Sequence, residues 1–271
     1  AALPRAIQPH LVAGDPLLAL QQYSADELRY WACSSRLGND VLFSPEVLGD
    51  GRRLVTKLFN ATRFASSRLE GYDPAAEVEL RPFDRWILSR LTRVIERATE
   101  GMDDYEYSTC VRECEDFFWH DLCDNYLEIA KGRLYGDDEE ARRPAQHALY
   151  RALYGSLRLF APVLVHVTEE LYQAIFRGYE DHRSVHMAPW PTDDYTDGWA
   201  LDNGQRALEI VEEARRYKSE NKLGMGTPLA GLRVTAPKDL LEALREFEPD
   251  LLAVTRAESI TWAEGDGLAT E

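Results

Sequence analysis

The segment LGDGRRLVTKLFNATRFASSRLEG, residues 48–71, has no acidic residue between Asp50 and Glu70, although the whole chain has a formal net charge of −16. Its apolar residues recur every three or four positions, which predicts an amphipathic α-helix over residues 45–68 with a proline in its first turn. At about 100° of rotation per residue, this helix has two sides. The predicted apolar side carries Leu54, Val55, Leu58, Phe59, Ala61 and Ala65. The opposite side carries Arg52, Arg53, Lys57, Asn60, Arg63 and Phe64.

The second side combines an aromatic residue with cations and an amide. Single-stranded RNA is bound by such sets, because bases stack on aromatic rings, amides contact base edges and cations contact phosphates. The alternative is that Phe64 packs beneath a neighbouring helix while the arginines only face solvent. The pattern by itself leaves both interpretations open.

Length and composition are those of an ordinary globular protein, with 271 residues of which 45% are hydrophobic and 29% charged. No run of about 18 apolar residues occurs, so no membrane span is predicted. The amino terminus has no secretory signal pattern, which makes the cytoplasm the predicted compartment. The acidic balance argues against binding nucleic acid over the whole surface but allows one local basic face.

The cysteines predict neither a disulfide scaffold nor a metal site. Cys110, Cys114, His120 and Cys123 have the chemistry of metal ligands. A single helix would spread them over roughly 20 Å and point them in different directions. Cys110, Cys114 and Cys123 are therefore predicted to be buried core thiols.

Helical periodicity dominates the chain and predicts a mainly α protein, an antiparallel helical bundle with a small α/β unit at its C terminus. The predicted helices cover 17–35, where Ser24 and Glu27 form a capping box, and 45–68, 83–99, 107–133, 145–160, 164–177 and 200–220. Residues 37–43 are predicted to be a connection and 136–144 a polar turn. Strand patterns at 231–237 and 259–262 flank a helical segment with a break at Pro249.

Five segments in this order carry a resemblance to a known family. They are residues 15–44, GRRLVTKLFNATRF at 51–64, FDRWILSRL at 83–91, FFWHDLCDNYLEIAK at 117–131, and RRYKSENKLGMGTPLAGLRV at 215–234. The sequence resembles the C-terminal part of class I aminoacyl-tRNA synthetases of the valine/isoleucine/leucine group over about residues 15–262. WHDLCDNYLE and RRYKSEN are most similar to the valine members found in archaea and some bacteria.

The resemblance implies a domain organisation and a partner. Residues 1–14 would be an extension or linker, 15–44 a stem-contact segment, 45–222 the helical anticodon-binding bundle and 223–271 the α/β unit. The implied partner is tRNA, specifically tRNA for valine, together with the catalytic domain of the synthetase. The implied oligomeric state is a monomer.

The resemblance also implies roles for individual residues. Arg52, Arg53, Lys57 and Arg63 would contact phosphates, while Asn60 and Phe64 would contact bases; for Asn60, a hydrogen bond to a neighbouring helix is the alternative. Arg215, Arg216, Lys218 and Lys222 form a candidate second RNA contact, with solvated surface as the alternative because glutamates lie among them. Trp86 is expected in the core, with Arg85 and Arg90 paired to acids such as Asp116.

The sequence departs from the family where catalysis is expected. Arg5-Ala6-Ile7-Gln8-Pro9 stands at the position of the KMSKS signature and lacks its lysines. No HIGH signature, editing region or glycine-rich phosphate loop is found, so this chain is not expected to activate an amino acid.

ATP and magnesium are accordingly expected only in the catalytic domain, and no cofactor is expected in this chain. The chain is predicted to be either part of a full synthetase or a free-standing relative. The alternative function is an adaptor that binds proteins and has no affinity for RNA. An adaptor has no need for Arg53, Lys57, Asn60 and Phe64 on one stripe.

Overall fold

The computed structural model describes residues 21–39, 44–192 and 195–271. The predictions for 1–14, for the helical residues 17–20 and for the connection at 40–43 lie outside these ranges. Within them the chain is mainly helical with a small three-stranded sheet near its C terminus, so the predicted fold class is confirmed. In this part of the chain, no helix is both long and apolar enough to cross a membrane.

The helices and strands follow one another in chain order. The α-helices are α1 Ala25–Cys33, α2 Pro45–Arg68, α3 Pro82–Asp103, α4 Tyr107–Asp116, α5 Leu127–Tyr135, α6 Glu139–Phe160, α7 Val165–Ile175, α8 Gly198–Glu220, α9 Lys238–Arg245 and α10 Glu248–Thr255. The strands are β1 Leu232–Ala236, β2 Ile260–Glu264 and β3 Ala269–Thr270. A π-helical segment, Phe117–Tyr126, joins α4 to α5, so the helix predicted over 107–133 is one helical run with a change in winding.

Two helix starts follow from side-chain caps. The Ser24 hydroxyl accepts a hydrogen bond from the Glu27 amide, and the Glu27 carboxylate accepts one from the Ser24 amide, both at 3.2 Å, which confirms the predicted capping box. The polar turn predicted over 136–144 is wrong from Glu139 on, because α6 already begins at that residue. The Asp138 carboxylate accepts a hydrogen bond from the amide of Glu140 at 3.0 Å and so starts the helix earlier.

The C-terminal α/β portion differs from the prediction in one detail. The break between α9 and α10 lies before Glu248, and Pro249 is within the first turn of α10. A proline there loses no helical hydrogen bond, since the first amides of a helix have no partner within it. β1 pairs in parallel with β2, with Leu232 opposite Ile260, and antiparallel with the unpredicted β3.

The chain divides into two compact units, each made of three chain segments. Unit 1 holds the described residues up to 67, with 93–118 and 153–192; unit 2 holds 68–92, 119–152 and the residues from 195 on. The division crosses α3 and α6.

In unit 1, helix α1 is the element that connects the others. The Asp26 carboxylate caps α7 by accepting hydrogen bonds from the amides of His166 at 3.1 Å and Val167 at 2.8 Å. The Tyr30 hydroxyl donates to Glu115 at 2.7 Å, which connects α1 to α4. The ring of Tyr30 also lies directly against Gly51, so α1 fixes the position of α2.

In unit 2, a buried ionic cluster connects four helical segments. Arg133 in α5 donates two hydrogen bonds of 2.8 Å to Asp84 in α3, and its Nε lies 3.1 Å from Asp250 in α10. The Tyr126 hydroxyl donates to Asp84 at 2.7 Å. All four side chains are buried, so each charge depends on its partners in the cluster rather than on water.

Candidate nucleic-acid interface

The buried side of α2 differs from the predicted apolar side at Val55, which is only half-buried, and at Phe59 and Thr62. Leu54, Leu58, Ala61 and Ala65 are buried as predicted. The sequence predicts Phe59 on this side as well, and this prediction is wrong, because the residue is 46% exposed. Thr62, which lies on the same side of the helix as Leu58 and Ala65, is fully buried instead.

The opposite side of α2 is the candidate interface and is called the α2 face below. It is defined by Arg52, Arg53, Thr56, Asn60 and Arg63, which are exposed, and by Lys57 and Phe64, which are half-buried. Successive members lie within a continuous arc of the helix surface at about 100° per residue. No residue of this arc is acidic.

Two arginines of the α2 face already form ion pairs. Arg52 donates from Nε to Glu27 at 2.8 Å and from Nη2 to the same carboxylate at 3.2 Å, while Arg53 pairs with Asp50 one turn earlier in α2. The hydrogen bond and charge of Glu27 raise the pKa of Arg52. Both guanidinium side chains remain more than half exposed, at 60% for Arg52 and 68% for Arg53. Their pairing lowers the net positive charge of the face below what the sequence suggests.

Arg63 and Asn60 differ from those two arginines. Within the described residues, Arg63 forms no ion pair and the Asn60 amide forms no side-chain hydrogen bond. The alternative that Asn60 bonds a neighbouring helix therefore has no support from the described residues. Ser66 and Ser67 turn their hydroxyls back onto the carbonyls of Arg63 and Phe64, at 2.9 and 2.8 Å, so they offer the face no strong donor.

The four residues of the candidate second contact lie in unit 2 and do not form one cationic surface. Arg215 donates to the Asn125 side chain at 2.8 Å and to a neighbouring backbone carbonyl. Arg216 pairs with Glu213, and Lys222 is exposed at the end of α8.

Lys218 has a different environment, because it is only 2% exposed. Its ammonium donates to the carbonyls of Met225 at 2.8 Å and Thr255 at 2.9 Å. Burial lowers the pKa of this group. Its contacts hold the loop after α8 against the end of α10, so Lys218 has a structural role and is not part of an exposed surface.

The remaining predicted polar residues have structural partners. Arg85 pairs with Asp197 at 2.5 Å and Arg90 with Asp121 at 2.8 Å, so the prediction that they pair with acids is confirmed while the choice of Asp116 is wrong. Asp197 lies far along the sequence from α3, and no local spacing could have pointed to it.

Trp86 is fully buried, as predicted. Cys110, Cys114 and Cys123 are buried, which confirms them as core residues. In the described part of the chain, no group of three or more His, Cys, Asp or Glu residues could hold a metal ion.

The chain, which is helical and acidic with a local cationic face on α2, matches the model of a known protein family. The family model described as "Anticodon-binding domain of tRNA ligase" matches residues 84–235, more than half of the chain. The chain therefore belongs to the anticodon-binding domain family of tRNA ligases. Helix α2 precedes the matched residues.

The particular relatives are proteins named valine–tRNA ligase, and the resemblance to the valine members is confirmed. The one from Thermococcus kodakarensis is 40% identical over 95% of this chain and 29% of its own length. The ones from Methanothermobacter thermautotrophicus and Wolbachia pipientis wMel are 38% and 37% identical, over 94% and 98% of this chain. The chain spans less than a third of the length of these relatives, at 29–30%.

Proposed function

We propose that the chain binds the anticodon arm of tRNA through the α2 face, and that its tRNA is the one for valine. Family membership supports the anticodon arm as the kind of RNA, and the names of the relatives support valine. The observation that carries the choice of α2 is its acid-free arc, in which exposed arginines and an exposed amide lie beside the half-buried Lys57 and Phe64, on a chain of net charge −16.

Each residue type of the α2 face has a role in this proposal. Lys57 and Arg63 contact backbone phosphates, Asn60 contacts a base edge, and Phe64 supplies a ring on which a base stacks. Arg53 contributes as well, because its exposed ion pair with Asp50 is worth only about 0–1 kcal/mol and is readily exchanged for a phosphate. Arg52 contributes while keeping its pair with the buried Glu27, since the Arg52 side chain is itself 60% exposed. Arg216 and Lys222 are at most a secondary contact.

The proposal gives this chain only one part in the reaction of a valine–tRNA ligase. A valine–tRNA ligase joins valine to its tRNA, and this chain would serve that reaction by holding the anticodon arm. The residues that use ATP and magnesium would lie outside this chain. The α2 face contains no set of side chains arranged for catalysis.

The first test compares binding of labelled tRNA for valine to the unmodified chain and to Lys57→Glu over a series of salt concentrations. We expect Lys57→Glu to lower the affinity and to reduce the slope of log affinity against log salt by about 1, because one phosphate contact is lost. Lys238→Glu is the matched control, since Lys238 is exposed in α9 and undergoes the same charge change. Equal effects of the two substitutions would contradict an interface on α2.

The same measurement with Phe64→Ala tests the stacking role. We expect a loss of about 1–3 kcal/mol in binding, as for other bases stacked on aromatic residues. Phe64→Tyr keeps a ring and should bind like the unmodified chain. A non-cognate tRNA that binds as tightly as the tRNA for valine would overturn the valine assignment while leaving the anticodon arm in place.

A further inference from the structure

Phe59 is a large apolar side chain that α2 leaves 46% exposed. Single exposed apolar residues are common on protein surfaces, so exposure alone indicates no site. The surroundings of Phe59 are the informative feature. Arg52, Thr56 and Arg63 lie seven residues before it, three before it and four after it, which places all three on its side of the helix.

No residue that the structure describes stacks on the ring of Phe59 or places a cation over it. Arg63, one turn away on the same side of α2, has no acid partner within the same described residues. The ring therefore lies on the same side of α2 as positive charge, and its exposed part is open to a stacking partner. This arrangement differs from that of the buried aromatic residues of the chain.

Phe59 and Phe64 lie at opposite edges of the exposed surface of α2. Five residues separate them, which corresponds to about 7.5 Å along the helix axis and about 140° around it. Arg63, Thr56 and Asn60 fall between the two rings in that arc. The two aromatic residues therefore border a strip of polar and cationic side chains.

We propose that Phe59 is a second base-stacking residue, so that α2 binds single-stranded RNA with two unstacked bases, one on each ring. This inference rests on the proposed function and adds a residue to it. Aromatic rings beside cations take successive bases of a single strand, with the phosphates held between them. The occupant is RNA rather than protein or a second copy of the chain, because the strip carries uncompensated positive charge at Arg63 while the chain as a whole is acidic.

The test uses the full chain and two RNA probes. One probe is a stem–loop with the anticodon arm of tRNA for valine, and the other is a fully paired duplex of the same length. The variants are Phe59→Ala, Phe59→Leu and Phe59→Tyr. We expect the first two to weaken stem–loop binding at least about fivefold, Phe59→Tyr to bind normally, and duplex binding to be unchanged.

The outcomes separate this inference from the proposed function. If Lys57→Glu weakens stem–loop binding and Phe59→Ala does not, the proposed function stands and the second stacking position is wrong. If Phe59→Leu binds as tightly as the unmodified chain, the contact is apolar packing, and stacking is overturned. If Phe59→Ala changes only sedimentation of the chain alone, Phe59 contacts a second copy instead, and the inference is also overturned.

Discussion

At the scale of single residues, Gly51 shows how closely the elements of unit 1 approach one another. A Cβ atom at Gly51 would lie 2.9 Å from Cδ1 of Tyr30 and 3.1 Å from its Cγ. The ring has little freedom to move away, because its hydroxyl is held by Glu115. A glycine inside a helix is ordinarily unfavourable, and here the contact with Tyr30 explains it.

We therefore expect Gly51→Ala to destabilise the chain despite the better helix propensity of alanine. Overpacking destabilises by about 1–3 kcal/mol, whereas the higher helix propensity of alanine stabilises by about 1 kcal/mol. The net result is a loss of about 1 kcal/mol in the free energy of unfolding. Gly49→Ala in the same helix is the control, because its Cβ would meet only the end of Arg53 at 3.7 Å. If urea unfolding showed that both variants are stabilised by the same amount, the close contact between Gly51 and Tyr30 would be contradicted.

The buried cluster of unit 2 predicts a pH dependence. Burial raises the pKa of Asp250 from 3.8 to about 6, even though Arg133 opposes the shift. The folded chain then binds a proton between pH 3.8 and about 6 that the unfolded chain does not bind. The contribution of Asp250 to stability is therefore fully present below pH 3.8 and is lost as the pH rises through about 6.

Asp250→Asn, which resembles the protonated form, isolates this effect. Its free energy of unfolding relative to the unmodified chain should rise by up to about 3 kcal/mol between pH 4 and pH 7. Asp239→Asn, at an exposed position in α9, controls for the change in net charge. Parallel stability curves for the Asp250 variant and the unmodified chain would show that Asp250 does not titrate in this range.

The environment of a single side chain depends on the fold as well as on its own chemistry. Phe59 is exposed although its hydrophobicity favours burial, whereas the position of Thr62 on α2 buries a polar side chain. The hydroxyl of Thr62 has no hydrogen-bond partner among the described residues, a cost that a sequence pattern cannot reveal. Lys218 similarly looks like a surface cation, and only the fold places its ammonium between two carbonyls.

At the scale of elements, most helices could be predicted because their apolar periodicity is regular. The positions 83, 87, 91, 94 and 98 of α3 are all buried, as the periodicity requires. Helix α2 begins and ends where the sequence places it. The cap by Asp138 starts α6 earlier than its apolar periodicity predicts. The spacing of apolar residues also does not predict that Phe117–Tyr126 is wound as a π-helix.

The α2 face is itself a property of an element. The sequence predicts its composition, since arginine, lysine and asparagine at helical spacing fix which residues share a side. It does not predict the partners of Arg52 and Arg53, because Glu27 reaches Arg52 through the packing of α1. The role of each residue in RNA binding stays a prediction.

At the scale of the whole molecule, net charge and local charge act over different distances. A chain of net charge −16 repels RNA over about 30 Å at 0.01 M salt but over only about 8 Å at physiological ionic strength. Binding near physiological salt therefore depends on the few residues in direct contact. The predicted domain boundaries at 14/15, 44/45 and 222/223 also stay a prediction.

The most direct measurement places a photoreactive benzoylphenylalanine at position 60, which is exposed on the α2 face, and maps its crosslinks to full-length tRNA for valine. The same group at the exposed position 238 in α9 is the control. We expect crosslinks from position 60 to nucleotides of the anticodon loop and none there from position 238. Crosslinks from position 60 only to the acceptor stem, or loop crosslinks equal from both positions, would contradict docking of the anticodon arm on α2.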